Sequence, residues 1–233
     1  MKNSRSVLGT LGFVAIVTLA WAKSDVPNPH WLTQDEIKSI LTSEPPPPAP
    51  GSEAEQADLQ TVLDAQKTRD AARIAEAQTD KAYSTELFTK PVVPQITPTA
   101  DPGVFHFMDE VDKQTSDVMT QSKDRWHRPR PFLAHADVVH PLFKAGGFSY
   151  PSGHSMHAFV YAIVLGEIFP DKAQAFLERA QQIAQSRVDA GVHYTTDIKE
   201  GEAVGREIAS DLNANPEFRQ ELDAAKAEVA GQK

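Results

Sequence analysis

Apolar residues recur along most of the chain at the three- and four-residue spacing of a helix face, and no stretch has a convincing strand pattern. The most hydrophobic run of the mature chain extends from Ser155 to Phe169, directly after a turn formed by residues 149–154. We therefore predict an all-α fold. The predicted helices cover residues 33–41, 52–82 with a break near Thr68, 104–121, 155–169, 172–189, 197–212 and 216–229.

Capping residues mark several of these helices. Thr33-Gln34-Asp35-Glu36 and Ser52-Glu53-Ala54-Glu55 have the pattern of a capping box, and Asp171 stands where it could cap the helix 172–189. Gly191 fits a C-terminal stop, and Asn215-Pro216 fits an N-cap followed by proline at the first helical position. The helix boundaries therefore have local support.

Proline divides the chain at two places. Glu44–Pro50 contains five prolines, so this segment should be extended and resemble polyproline; composition alone favours a linker. Pro91–Pro102 contains four prolines and should be a loop. Helices 52–82 and 104–121 should therefore be separate elements of a bundle.

Composition sets outer limits on function. The 233 residues are 40% hydrophobic and 24% charged, which is typical of a globular domain. The absence of cysteine excludes disulfides and thiolate chemistry. The net charge of -9 disfavours nucleic acid as a partner of the whole surface, although a local cationic pocket remains compatible with an anionic substrate.

The first 22 residues have the pattern of a secretory signal peptide. Lys2 and Arg5 form a basic start, Val7–Leu19 is apolar, and Ala20-Trp21-Ala22 is a small-x-small cleavage site. An uncleaved anchor is the alternative, but the apolar stretch is short for a membrane span. We expect cleavage after Ala22, export to the periplasm, and no membrane association afterwards. The rest divides into an entry segment, 23–51, and one helical domain, 52–233.

The turn before the apolar helix has the composition of an anion site. Pro151, Ser152 and Gly153 precede the helix, so its first backbone N–H groups lack an intrahelical acceptor. These groups stand at the positive end of the helix dipole, where anions bind. His154 places a titratable imidazole beside that anion.

Two further groups of residues carry potential chemistry. Arg130 stands between Pro129 and Pro131, which hold the backbone extended and restrict the direction of the guanidinium. Most clusters of this kind are solvated basic patches. His193 precedes Asp197 by four residues, and an Asp197 that begins a helix could fold back onto it. Taken alone, that pair would be a helix-capping histidine with an acidic neighbour.

The three groups together form a longer pattern: Lys123-x6-Arg130-Pro131, Pro151-Ser152-Gly153-His154 and Ser186-Arg187-x5-His193-x3-Asp197. This pattern resembles the three-part signature of the phosphatidic acid phosphatase type 2 superfamily, in the right order and without substitution. The Pro45–Gly51 run, the string Arg128–Phe132 and the exported format are similar to class A bacterial non-specific acid phosphatases. The likeness covers nearly the whole mature chain.

The resemblance implies a single-domain helical bundle of the histidine acid phosphatase and vanadium haloperoxidase type. It also implies a metal-independent acid phosphatase that needs no cofactor, acts on small phosphomonoesters and forms a homo-oligomer. His193 would be the nucleophile, Asp197 would orient it, and His154 would protonate the leaving group. The phosphate would be bound by the remaining matched residues, which are Lys123, Arg130, Ser152, Gly153 and Arg187.

The pattern leaves three alternatives open. They are a vanadium-dependent haloperoxidase, an exported lipid or pyrophosphate phosphatase, and a non-catalytic phosphate-binding or interaction module that uses residues 52–82. The remaining histidines could suggest metal pairs, but no carboxylate cluster or third histidine at a recognisable spacing supports a metal site. We give no catalytic role to His30, His106, His127, His135, His140 and His157.

Overall fold

The computed structural model describes residues 31–231, so the predicted signal peptide and His30 lie outside the described residues. All regular structure within 31–231 is helical, and the all-α prediction is confirmed for this part of the chain. The helices are α1 (Gln34–Ser43), α2 (Glu53–Thr68), α3 (Ala71–Thr79), α4 (Thr85–Thr89), α5 (Pro102–Trp126), α6 (Pro131–Ala134), α7 (Gly153–Ile168), α8 (Ala173–Asp189), α9 (Thr195–Ala214) and α10 (Pro216–Ala230). Across residues 31–231, no helix is both long enough and apolar enough to cross a bilayer.

Helix α7 lies at the centre of the bundle. It is apolar on all sides, and every residue is buried except His154, Ile163 and Glu167. Helices α8 and α9 pack along it, and α5 and α10 cover the remaining sides. Gly201 of α9 permits this close approach, because a Cβ there would overlap the carbonyl oxygen of Ser152. The helix that begins with the anion-site turn is therefore also the core of the protein.

The entry segment packs into the same core. Trp31 contacts Phe107 and Phe218, with ring centroids 5.6 Å and 5.2 Å away. The proline run is non-helical as predicted, but it is anchored to the domain. The hydroxyl of Tyr150 donates to the carbonyl of Pro45 at 2.8 Å. This contact ties the proline run to the turn that precedes α7.

Helices α2 and α3 are separated by a break at residues 69–70, as predicted near Thr68. Together with residues after α6 and α8 they enclose a second, smaller apolar cluster, which includes Val62, Ala77, Val188 and Tyr194. This packing sets α2 beside the turn that connects α8 to α9.

Two sequence-based details need correction. Asp171 does not cap α8: it lies in a 3-10 turn, Pro170–Lys172, and the helix starts at Ala173 without a side-chain cap. The reason is that Pro170 starts the tight turn, which leaves the Asp171 side chain in solvent beside Lys172. Helix α5 also continues to Trp126, beyond the predicted end at residue 121. Lys123 therefore lies in its last turn.

Candidate active site

The three sequence motifs meet at one end of α7. Lys123 comes from the last turn of α5 and Arg187 from the last turn of α8, while Arg130 comes from the extended chain before α6. Backbone contacts join the turn before α7 to two of the motif segments: the amide of Ser149 donates to the carbonyl of Arg128 at 2.8 Å, and the amide of Ser152 donates to the carbonyl of Asp197 at 2.9 Å. Gly153 lies where α5 and α7 approach each other: a Cβ there would overlap the sulfur of Met119, so the methionine side chain would have to move.

His193 and Asp197 form the buried pair that the spacing predicted. Asp197 lies in the first turn of α9, and its Oδ2 is 3.3 Å from Nδ1 of His193. The same oxygen accepts from Ser149 Oγ at 2.5 Å and from the Tyr194 amide at 2.8 Å, while Oδ1 accepts from Arg128 Nη1 at 2.6 Å. The carboxylate is fully buried and all its contacts are donors. Asp197 is thereby fixed as an anion behind the imidazole.

The hydrogen bonds of His193 determine its tautomer. Arg130 Nη1 lies 3.0 Å from Nε2 of His193, and a guanidinium can only donate. Nε2 is therefore the acceptor, and Nδ1 carries the proton that faces Asp197. Burial, reinforced by the charges of Arg130 and Lys123, lowers the pKa of His193 to about 3 despite Asp197. The ring stays neutral in mild acid, with its lone pair directed toward the cationic side chains.

Asp197 responds to the same environment in the opposite way. Burial alone would raise its pKa, but the hydrogen bond from His193, together with the charge of Arg128 and the hydrogen bond from Ser149, holds the pKa below its usual value of 3.8. Asp197 therefore keeps its charge at the pH values at which the imidazole is neutral.

Backbone carbonyls bind the three predicted cationic side chains. Lys123 Nζ donates to the carbonyls of Phe148 and Pro151, both at 2.8 Å. Arg130 donates to Gly146 and Val192, and Arg187 donates to the carbonyl of Asp80. Because these acceptors are neutral, they orient the cations without cancelling their charge.

Burial changes the acidity of all three cations. It lowers the pKa of Lys123 to about 7, with Arg130 as the second cause, and it lowers those of Arg130 and Arg187 to about 10. Both arginines therefore remain charged at neutral pH, whereas Lys123 loses its proton near pH 7. Near neutral pH, the combined charge of these three cations therefore depends on pH through Lys123.

Ser152 and Gly153 begin α7 as expected. The Ser152 hydroxyl oxygen accepts from the amide of Ser155 at 3.4 Å and from its hydroxyl at 3.1 Å, so its own proton is available as a donor. Ser186 makes a local contact only, donating to the carbonyl of Ile183 at 2.8 Å within α8. The start of α7 can therefore offer hydroxyl and amide donors to an anion.

His154 stands on the other side of the site and is partly exposed. Its Nε2 lies 3.2 Å from the carbonyl of Lys81, so this nitrogen carries a proton. Burial, followed by the charge of Arg187, lowers the pKa of His154 well below 6.5. A bound dianion would counteract the repulsion by Arg187 and favour the protonated ring.

Arg128 and Asp58 belong to the site but were missed by the sequence motifs. Arg128 connects the two carboxylates, with Nη1 2.6 Å from Asp197 and Nη2 2.9 Å from Asp58. Its guanidinium also lies 4.0 Å from the ring centroid of Tyr194. The position of Arg128, two residues before the motif residue Arg130, was a signal for it, but nothing in the sequence pointed to Asp58, seventy residues earlier along the chain.

The other described histidines stand apart from this chemistry. His157 is buried, with Nδ1 donating to the carbonyl of Gly153 at 2.8 Å, and His127 caps α5 in the left-handed conformation. Within residues 31–231, no three His, Asp or Glu side chains lie close enough together to hold a metal ion.

Several known proteins are similar to this chain in sequence. The family model of the PAP2 superfamily matches residues 115–210, the segment that carries all three motifs. A non-specific acid phosphatase of Providencia stuartii is 28% identical over 88% of this chain and 86% of its own. One of Salmonella typhi is 25% identical over 94% and 91%, and an acid phosphatase of Zymomonas mobilis is 27% identical over 79% and 73%.

Two solved structures have a similar fold. A transmembrane PAP2-type phosphatidylglycerolphosphate phosphatase from Bacillus subtilis aligns with a TM-score of 0.52 at 21% identity, over 76% of this chain and 90% of that one. A bacterial vanadium-dependent iodoperoxidase aligns with a TM-score of 0.53 at 20% identity, over 74% and 52%. The predicted resemblance to the PAP2 superfamily, and to its acid phosphatases in particular, is confirmed.

Proposed function

We propose that this PAP2-superfamily phosphatase is an exported acid phosphatase that hydrolyses phosphomonoesters through a phosphohistidine at His193, without a metal ion. The observation that carries the proposal is the state of His193. Its Nε2 lone pair is held 3.0 Å from the Arg130 guanidinium, and its Nδ1 proton faces Asp197. A neutral imidazole next to buried cations is a nucleophile positioned for an anionic electrophile.

In the first half-reaction, the phosphate dianion displaces the carbonyl acceptors of Lys123, Arg130 and Arg187. The Arg130 guanidinium moves from Nε2 of His193 to a phosphoryl oxygen, which frees the lone pair. Nε2 then forms a bond to phosphorus while the bond to the ester oxygen breaks. His154, protonated in the presence of the dianion, transfers its proton to the departing oxygen.

In the second half-reaction, His154 is neutral and acts as a base. It takes a proton from a water molecule, whose oxygen attacks phosphorus as the bond to Nε2 breaks. Inorganic phosphate leaves, and His193 regains its neutral form. Asp197 stabilises the positive ring during both steps, as the acidic member of a catalytic triad does.

Export rests on the N-terminal sequence. Cleavage after Ala22 would give a mature protein that starts at Lys23. N-terminal sequencing of protein released from the periplasm tests this directly, and size-exclusion chromatography of that material tests the proposed homo-oligomer. Periplasmic protein that still begins at Met1 would contradict cleavage, and absence of the protein from the periplasm would contradict export.

The decisive test is hydrolysis of para-nitrophenyl phosphate by the wild type and by His193→Ala, with and without a chelator. We expect wild-type activity to survive the chelator and His193→Ala to be inactive. His140→Ala is the matched control, because this histidine is exposed and outside the site. Equal activity of wild type and His193→Ala would overturn the mechanism, and loss of wild-type activity in chelator would overturn metal independence.

A further inference from the structure

The strongest feature outside the sequence motifs is a row of buried charges behind His193. Asp197 contacts the imidazole, Arg128 contacts Asp197, and Asp58 contacts Arg128. Both of the outer residues, Arg128 and Asp58, are buried, at 6% and 4% exposed. Charged groups are rarely buried to this extent unless they are paired, so their placement calls for a physical reason.

The guanidinium of Arg128 is held in place by three side chains and by the face of an aromatic ring. One nitrogen donates to both Asp197 and the Thr196 hydroxyl, the other donates to Asp58, and the guanidinium plane lies on the Tyr194 ring. Lysine could not reproduce this fork, because an ammonium group has no fixed plane. Arg128 therefore sets the position of the Asp197 oxygen that does not face the histidine.

Asp58 in turn is bound at both oxygens. Oδ1 accepts from the amide of Thr196 at 3.0 Å, and Oδ2 accepts from Arg128 and from the Thr196 hydroxyl. Thr196 lies in the first turn of α9, next to Asp197. Asp58 thus ties α2 to the helix start that carries the acidic partner of the nucleophile.

The signs of the charges give this row a purpose beyond packing. Arg128 alone would neutralise Asp197, and a neutral pair gives little support to the positive charge that develops on His193 as its Nε2 bonds to phosphorus. With Asp58 included, the three side chains Asp197, Arg128 and Asp58 carry one net negative charge. We propose that Asp58 and Arg128 are positioning residues of the phosphoryl-transfer reaction, which act on His193 through Asp197.

The inference rests on the proposed phosphohistidine mechanism but assigns residues outside its motifs. Asp58 also lies outside the segment 115–210 matched by the family model. The N-terminal helices would accordingly contribute to the rate of the chemical step as well as to the fold.

Asp58→Asn tests the inference with little change in side-chain size. With para-nitrophenyl phosphate, we expect kcat to fall on the order of tenfold while KM changes by less than about twofold, because the phosphate-binding cations are untouched. Inhibition by inorganic phosphate, which reports those cations, should stay the same. Arg128→Lys is the second variant and keeps a cation in place; it should lower kcat in the same way.

A double-mutant cycle separates positioning from general damage. If Asp58 acts through Asp197, then Asp58→Asn should cause no further loss in the Asp197→Asn background. Asp101→Asn is the matched control: this carboxylate is also fully buried, but it accepts from Thr97 at the far end of α5. It should lower thermal stability without changing kcat.

A further experiment distinguishes failure of the positioning role from failure of the phosphohistidine mechanism. Trapping with a 32P-labelled phosphomonoester and an alkaline quench shows whether wild-type His193 becomes phosphorylated. A labelled wild type, combined with an unchanged kcat in both Asp58→Asn and Arg128→Lys, would overturn only the positioning role. Additive losses in the cycle would overturn it as well. An unlabelled wild type together with an active His193→Ala would instead overturn the proposed function.

Discussion

The two sides of the site hold their histidines in different ways. His193 is buried, and both of its ring nitrogens contact charged side chains, Arg130 and Asp197. His154 is partly exposed, and its Nε2 contacts a single backbone carbonyl, that of Lys81, while its ring packs edge-on against Tyr83 at 5.1 Å. One histidine is held by ionic partners, and the other by neutral ones.

This difference matches the different tasks proposed for the two residues. A nucleophile must stay neutral and aligned before the substrate arrives, which requires partners that are already in place in the free enzyme. A proton donor must gain and lose a proton in each cycle, which permanent ionic partners would hinder. In the proposed mechanism His154 would depend on the bound dianion for its proton, and its protonation would be coupled to substrate binding.

Removing the acidic partner of His193 should have the largest effect on kcat. Asp197→Asn removes the charge behind His193 and allows the wrong tautomer, so kcat should fall by about 10³–10⁴-fold. Steady-state hydrolysis of para-nitrophenyl phosphate measures the change, with circular dichroism as a check on folding. A loss below about tenfold in a folded variant would show that the nucleophile does not need this partner.

Removing the imidazole of His154 should have a smaller effect on kcat, and the size of this effect should depend on the substrate. His154→Ala should lower kcat by about 10²–10³-fold for an alkyl phosphate, whose leaving oxygen needs a proton. The loss should be much smaller for para-nitrophenyl phosphate, because para-nitrophenolate leaves readily without one. Comparing the two substrates in one variant provides the test. Equal losses would exclude His154 as the proton donor.

The pH dependence of kcat/KM tests a third charged group of the site, Lys123. Burial lowers the pKa of Lys123 to about 7, so its charge is present below pH 7 and is lost as the pH rises through that value. kcat/KM, which reports the free enzyme, should therefore fall on the alkaline side. Lys123→Arg keeps the charge and should move this limb upward by about one pH unit or more. If the alkaline fall of kcat/KM stays at the same pH in Lys123→Arg, it reflects the titration of another group.

The smallest expected effect is on stability in acid. The pKa of His193 is lowered to about 3, so between pH 6.5 and 3 the unfolded chain takes up a proton at this position that the folded protein does not. The free energy of unfolding should therefore decrease as the pH falls through this window. His193→Gln removes that contribution, so its loss of stability between pH 7 and pH 4 should be smaller than that of the wild type.

Urea unfolding at the two pH values measures the difference. The exposed His140→Gln serves as the control and should follow the wild type. Identical pH dependence in all three proteins would contradict a buried, neutral His193.

The sequence could predict those parts of the site that depend on short-range spacing. His193 and Asp197 are one helical turn apart at a helix start, and Pro129 and Pro131 restrict Arg130 locally. Asp58 could not be found this way, because its contact with Arg128 depends on how α2 packs against α9. The prediction that Asp171 caps α8 was wrong for a local reason. Its spacing fitted a cap, but Pro170 starts a 3-10 turn that contains Asp171.

The carbonyl oxygens around the cations also affect which anions the site can select. A carboxylate in the place of the Gly146 or Pro151 carbonyl would compete with an incoming dianion, whereas a carbonyl gives way to any oxyanion that fits. Selection must then rely on size and tetrahedral shape, and the organic group of the ester can contribute little to it. We expect a site built in this way to accept many esters, and tetrahedral inorganic oxyanions should inhibit it by occupying the same space.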